Sequence, residues 1–521
     1  MPCATRSGMT DSCNVRSANP RSFRLLLIAS WAFVAVFFVS SVRYARMIEW
    51  NGMRVAPAFA FRHEGFLYPS ATAGVITGNI YPPLATLAYL PCTLFRNPTF
   101  IMECGCALAC FYYFLPLALA AGLSVRRWGV APLDATLVVT AAALWTLFDP
   151  ALRYTAFMIH AEAPGFALAG LALCTVLFAA QDQTLRAALI AGMLCVCAIL
   201  TKQTFVGVWC ALAIWLTVGG GLTAGVRFGA GSAIATAVFG AALLLFGDWR
   251  NFVYNCLFLP SQHPWETREF VLGSPGAGSG LPAKVQALVQ AFLEIAPRWF
   301  PGIALAGWGV WLARGAPAGS PVARAALPAW VFVAQLPLAL MAYSKIGGDV
   351  NGLAVSLYFL IFALVALALS AAAENHLWLA SQRALLAALL VVLVSCNTPR
   401  LLFLLNNARK PDPHTAMVQF LHAHPQQVYL PWNPLHTRLA DGVTYHFEYG
   451  VFDRALANVS ISSEHFRAHL PTALRYVAVR RNQPDSSRGN FRRYLPDLRE
   501  IASPAGLEDW RFFEVSAEKA P

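Results

Sequence analysis

Five short stretches of this 521-residue chain carry the side chains that chemistry needs. Arg62, His63 and Glu64 stand side by side in "FRHEGFLYPS", and Tyr81 follows in "IYPPL". Arg153, His160 and Glu162 occupy "LRYTAFMIHAEAPG", and Lys202 and Gln203 sit in "TKQT". Asn255, His263 and Glu266 lie in "NFVYNCLFLPSQHPWETRE", and Lys345, Asp349 and Asn351 in "SKIGGDVNG". A carboxylate can take a proton as a general base, and cations with amides can hold an anion. Near a bilayer such groups are costly unless paired or solvated, so clusters of both signs mark a pathway or a site. The plain alternative for any one of them is a solvated loop charge, and the grouping counts for more than any member.

The elements that must position these residues are membrane helices. The chain is 57% hydrophobic and 12% charged, with a mean hydropathy of +0.54, more apolar sequence than one soluble core can hide. Irregular Ala/Leu/Val/Phe runs with scattered Gly and Pro fit spanning helices rather than barrel strands. Spans are expected near 23–42, 101–123, 131–148, 164–180, 187–203, 205–222, 228–246, 294–313, 327–343, 352–372 and 384–405, about eleven in all. The first, "FRLLLIASWAFVAVFFVSSV", follows a basic leader (residues 1–22) with Arg6, Arg16 and Arg21, joined by Arg24 at its own start, and lacks a small-residue cleavage site. It reads as an uncleaved span with a cytoplasmic N-terminus.

An odd span count sends the region from 407 to 521 to the opposite, periplasm-like side. Arg126-Arg127, Arg186, Arg227, Arg314 with Arg324, and Arg383 then fall in cytoplasmic connections, as the positive-inside rule asks. Arg43, Arg46, Arg54 and Arg62 in the first outer loop (about 43–100) do not obey it. That loop holds "IYPPLATLAYLPCTLFRNP", apolar but interrupted by Pro, which is expected to lie in the interface. With this parse all five groups fall on the outer face. The tail reads as a small soluble α/β domain, with "VYLPW" and "YVAVR" as strands and "ISSEHFRAHL" as a helix opening on Ser caps.

Several classes are disfavoured. The net charge of +12 is spread over loops and tail with no Lys/Arg-rich block, so no nucleic-acid partner is expected. Twelve cysteines fall almost entirely in apolar runs, without CxxC or zinc-type Cys/His spacing, and read as small core residues. No Gly-rich nucleotide fingerprint is evident. "NVS" at Asn458 is a formal glycosylation acceptor of a kind common by chance.

The basic-led first span, the long outer loop with "HEGFLYPSATAGVITGNIYPPL", and then "IHAEAPG", "LTKQT", "KIGGDVN" and a soluble tail resemble the C-type (GT-C) polyprenyl-phosphate-sugar-dependent membrane glycosyltransferases. These include protein O-mannosyltransferases and the lipid A aminoarabinose transferase. The likeness covers most of the chain in architecture through short motifs. Members commonly carry Asp or Asp-Glu in the first loop, where this chain has His63-Glu64. The resemblance implies an α-helical polytopic fold of GT-C type over 23–406, a soluble domain over 407–521, and residence in a bacterial plasma membrane with the tail in the periplasm. It also implies a lipid-linked sugar donor, a lipid, glycan or protein acceptor, and transfer with inversion. Some members use a divalent metal and others none; nothing in this sequence argues for one.

On that basis Glu64 is the expected base, with Glu162 either orienting the acceptor or being the base itself. Arg62, Lys202, His263 and Lys345 are the expected cations for the donor phosphate, and "LTKQT" matches the lysine near the family's donor pocket. His63, Tyr81, His160, Gln203, Asn255, Asp349 and Asn351 are further candidates for lining or contacting the substrate. Ordinary structural readings stand beside these: a helix N-terminal carboxylate for Glu162 ahead of Ala163-Pro164, snorkelling for Lys202, and a Gly-Gly turn for "GGDVN". The competing class is a secondary transporter or flippase, for which an internal repeat and midplane polar residues are expected. A ligand-binding receptor would leave Glu64 and Lys202 without a role.

Overall fold

The computed structural model describes residues 20–180, 183–246, 249–265, 281–317, 319–345, 350–374, 379–481 and 490–516. Among these, six helices are long and apolar enough to cross a bilayer: Phe23–Ala45, Pro98–Arg127, Gln203–Leu245, Pro321–Tyr343, Val350–Glu374 and Arg383–Ala423. A seventh results if Pro132–Phe148 and Pro150–Phe157, bent by 98°, count as one span. Glu162–Leu177 and Thr184–Ile199 are apolar but have only 16 residues each, about 24 Å of helix against about 30 Å of hydrocarbon.

This count is lower than the expected eleven, and one cause lies in the longest helical stretch. Within Val206–Phe246 the chain leaves helical geometry at Gly221 (φ 77, ψ 172), a conformation that suits glycine. The Trp209 indole N–H donates to the Ser232 hydroxyl at 2.8 Å. A straight helix would hold those residues about 34 Å apart, so the chain reverses at Gly221 into two antiparallel arms. Helix Thr184–Ile199 packs tightly on the second arm, where a Cβ at Gly192 would lie 2.1 Å from the Phe228 carbonyl oxygen.

The bundle is apolar on its outside. Val218 is 81% exposed and Leu385 72%, with Leu25, Leu222 and Leu245 similarly bare, a belt that calls for lipid. Val350–Glu374 forms the centre, buried nearly throughout, and Tyr358 stacks on Phe166 with ring centroids 4.3 Å apart. Cys210 and Cys396 are exposed on this outer surface rather than in the core, unlike the buried Cys106, Cys174 and Cys195.

The two ends of the bundle differ. At one, Arg383 grips Asp134 through two hydrogen bonds of 2.6 and 2.8 Å, and Arg324 donates to the carbonyls that end helix Glu162–Leu177. The other carries the first loop and the tail. The loop begins with helix Glu49–Glu64, which stops at Gly65 (φ 78). The Pro-interrupted segment breaks into Pro83–Leu87 and the 3-10 turn Leu90–Leu94, five residues each and too short to cross.

The tail contains strands β1 (Val428–Tyr429), β2 (Tyr476–Arg480), β3 (Leu498–Ile501) and β4 (Trp510–Val515), in the order β1-β2-β4-β3. Among the described residues only β1 and β2 pair in parallel. The expected strands are present, the first reduced to two residues. Helix Ser463–Arg467 is capped by the Ser462 hydroxyl, which accepts from the His465 N–H at 3.1 Å. The tail docks on the first loop: the Phe447 N–H donates to the Ile76 carbonyl at 2.8 Å, and the Ile76 N–H to His446 Nδ1 at 2.7 Å. Gly450 permits this approach, since a Cβ there would sit 2.5 Å from the Thr77 carbonyl oxygen.

Candidate active site

Three distant segments are stapled together before any reactive group is in place. In the loop helix, Asn51 accepts from the Ile159 N–H at 2.9 Å and donates to the Ala45 carbonyl at 2.8 Å. The Tyr89 hydroxyl donates to the His160 carbonyl at 2.8 Å and accepts from the His160 N–H at 3.1 Å. These bonds fix the non-helical turn at 158–161, where the backbone has no helical partners of its own. The Leu84 N–H meets the Leu200 carbonyl at 2.9 Å, and the Gln203 amide donates to the carbonyls of Cys256 (2.6 Å) and Ile80 (3.3 Å). Gly165 leaves room for Thr201 and Phe205, so the segment bearing Lys202 lies against the start of helix Glu162–Leu177.

Glu162 opens that helix and is fully buried. One carboxylate oxygen is paired with the Lys202 ammonium and accepts from the Asn351 amide at 2.8 Å; the other faces His160 Nδ1. The same Asn351 nitrogen lies 3.0 Å from His160 Nε2. Nε2 turns its lone pair to the Asn351 amide donor, while Nδ1 faces both the Glu162 carboxylate and the Ala161 N–H at 3.1 Å. Burial first, and then Arg54 and Lys202, hold the imidazole well below its ordinary pKa, so it stays neutral. A buried carboxylate survives only with such partners, and this one has a cation, an amide and an imidazole.

His160 also lines a cavity of about 40 Å³ with Arg54, Tyr81, Tyr89, Trp50 and Tyr449. Arg54 lies over the Trp50 ring at 5.6 Å and donates to the Ile159 carbonyl at 3.3 Å. Lys202, already committed to Glu162, sits 5.9 Å from the Tyr81 ring. The cavity therefore offers an aromatic wall, a guanidinium and an imidazole backed by a carboxylate.

Of the residues singled out by sequence, Tyr81, His160, Glu162, Lys202 and Asn351 meet here, and Gln203 supports them from behind. Glu64 does not line this cavity. It ends the loop helix near the surface, accepts from the Thr444 hydroxyl and lies 3.3 Å from Arg438, both in the tail. Arg62 donates to the Thr93 hydroxyl at 2.9 Å, and the exposed His63 stacks on Phe59. Asn255, in a π-helical turn at Tyr254–Phe258, donates to the Asn251 carbonyl at 2.8 Å. Lys345 donates to the Pro260 carbonyl at 3.0 Å, Arg153 to that of Leu147 at 2.9 Å, and His263 faces Asp453 of the tail. Glu266 and Asp349 lie outside the described residues. Among the described residues no group of three His, Cys, Asp or Glu could hold a metal ion.

Sequence reasoning missed Arg54, Asn51, Tyr89 and Tyr449. For Arg54 a signal existed: "MRVAPAFAF" is a lone cation ahead of an apolar helical run, and a cation there needs a purpose.

No family model matches the chain, and no curated protein matches it. Among solved structures, the chain is similar to the crystal structure of the Archaeoglobus fulgidus oligosaccharyltransferase in its apo form, with a TM-score of 0.37 and 11% sequence identity. That alignment covers 87% of this chain and 69% of the other.

Proposed function

We propose that this chain is a membrane-embedded glycosyltransferase that moves a sugar from a polyprenyl-phosphate donor to an acceptor hydroxyl on the outer face of the membrane. The observation that carries the reading is the buried His160–Glu162–Lys202–Asn351 cluster standing behind a cavity with its own guanidinium, Arg54, at the end of the bundle that bears the tail. A polar cluster at helix ends suits a site that is reached from water and membrane at once. The apolar belt gives an isoprenoid tail its solvent while the phosphate-sugar head group is presented at the cavity, beside Arg54.

In this reaction the acceptor oxygen attacks the anomeric carbon opposite the phosphate, the bond from carbon to phosphate oxygen breaks, and the lipid phosphate leaves with the electron pair. Inversion follows. The phosphate needs no protonating acid, so one proton-accepting group is enough. The acceptor's proton passes to the His160–Glu162 pair: the imidazole faces the cavity, and the carboxylate balances the charge it gains. Arg54 holds the phosphate, a better candidate than Lys202, whose charge is used by Glu162. In this reading residues 23–406 form the catalytic membrane domain, 407–521 an outer soluble domain, and the leader is cytoplasmic in a bacterial plasma membrane.

The test is transfer of labelled sugar from undecaprenyl-phosphate glucose, mannose or arabinose into a membrane extract, by wild type and Glu162→Gln at matched expression. Wild-type transfer that the substitution abolishes supports the reading. Absence of wild-type transfer from every donor sinks it.

A further inference from the structure

The tail helix Glu448–Leu456 approaches the cavity with Tyr449 in its wall, and one turn further along the same face stands Asp453. Asp453 is 1% exposed, and neither of its carboxyl oxygens has a hydrogen-bond partner among the described residues. Opposite it is His263, 7% exposed, whose Nε2 also lacks a partner and lies 3.6 Å from Asp453 Oδ1. Arg454, its neighbour in sequence, has its guanidinium over the Tyr254 ring at 5.8 Å.

Orphaned polar atoms in a buried position need an explanation, because leaving even one costs about 1–3 kcal/mol. Here three such atoms converge from two parts of the chain. The gap is too long for a direct hydrogen bond, yet one oxygen atom about 2.8 Å from each side would satisfy both. Burial drives the Asp453 carboxyl well above its usual range and lowers His263 to about 4, so the enclosure disfavours the charged form of each. A neutral acid beside a neutral imidazole presents one donor and one acceptor, the complement of a hydroxyl. A phosphate is poorly served here and well served by Arg54.

We propose that Asp453 of the tail and His263 form a hydroxyl-binding subsite one helical turn beyond the cavity wall at Tyr449, taking a sugar hydroxyl of the donor or of the acceptor. The tail is then part of the substrate site. This rests on the glycosyl-transfer reading above, and the test separates the two.

Full-length wild type, Asp453→Leu and Asp453→Asn, purified in lipid nanodiscs, are compared for unfolding temperature and for initial rates with undecaprenyl-phosphate glucose, mannose and arabinose. Asp453→Leu is expected to keep or raise the unfolding temperature, since it removes an unsatisfied buried acid, while KM for one substrate rises about tenfold. Asp453→Asn, which keeps a donor and an acceptor, is expected to recover most of that loss. A KM rise for the lipid donor assigns the hydroxyl to the donor sugar, and a rise for the acceptor assigns it there. A lower unfolding temperature with both KM values unchanged overturns the proposal and makes the pair a structural latch. Should wild type transfer from no donor, the glycosyl-transfer reading falls, and the subsite is judged by ligand-induced stabilisation. It stands when the sugar-bearing lipids raise the unfolding temperature of wild type more than undecaprenyl phosphate does and Asp453→Leu loses that increment. Equal increments overturn it.

Discussion

Glu64 and Glu162 are both carboxylates near the ends of helices on the same end of the bundle, yet they occupy opposite environments. Glu64 lies at the rim between loop and tail, with its side chain 24% exposed and Thr444 and Arg438 as partners. Glu162 is wholly enclosed, with Lys202, His160 and Asn351 converging on it from three segments. A rim carboxylate with a cation is an ordinary interface contact of small net value. An enclosed one is held at a cost that only several partners can offset, which makes it a candidate for chemistry. The comparison shifts the proposed proton acceptor from the first loop to the second.

The sharpest way to break that contrast is to neutralise each carboxylate in the same transfer assay. Glu162→Gln is expected to lower turnover by about 10²–10⁴-fold, the usual range for a lost general base, whereas Glu64→Gln should stay within several-fold of wild type. The reverse result would return the base to the first loop.

Next in size is the partner's removal. Lys202→Met leaves Glu162 buried without its cation and should destabilise the protein by about 3–5 kcal/mol, read as a fall in unfolding temperature. Adding Glu162→Gln to that variant should restore much of the loss, because the two sites are coupled. Additive effects would show that the ion pair is not what holds the cluster.

A smaller effect is expected where the tail clasps the first loop. His446 accepts from the Ile76 N–H and faces the Phe466 carbonyl through Nε2, with His465, His469 and Arg454 as its charged or titratable neighbours. Burial lowers its pKa from 6.5 to about 3, so the unfolded chain binds the extra proton between those values. The stabilisation is therefore complete above pH 6.5 and is lost as pH falls, by about 2 kcal/mol at pH 5. Unfolding midpoints at pH 7 and pH 5 should fall less in His446→Gln than in wild type. Smallest of all, Glu64→Gln should change stability by under about 1 kcal/mol in the same measurement.

Much of this architecture was legible in the sequence because apolar runs report hydrocarbon burial directly. Each expected span within the described residues corresponds to helix, and Gly221 separates two that a length criterion joins. The grouping of His160, Glu162, Lys202 and Asn351 was legible for a related reason: ionisable groups at the ends of apolar helices end up near one another. Depth was not legible. Nothing in "RHEG" against "IHAEAPG" tells which glutamate is enclosed, since enclosure depends on Tyr89, Asn51 and Gly165 acting across long separations. The part played by Tyr449 and Asp453 was hidden still more thoroughly, because the tail returns to the loop only through tertiary contacts.

That return has a consequence for how the molecule is made. The cavity's wall includes Tyr449, while its floor includes His160, roughly 290 residues earlier and about 15–60 s apart at ordinary rates of synthesis. A nascent chain with all its membrane helices inserted still has an unfinished cavity. The cavity closes only when the segment bearing Tyr449 has been made and has folded back onto the first loop, so the order of synthesis sets when the site can form.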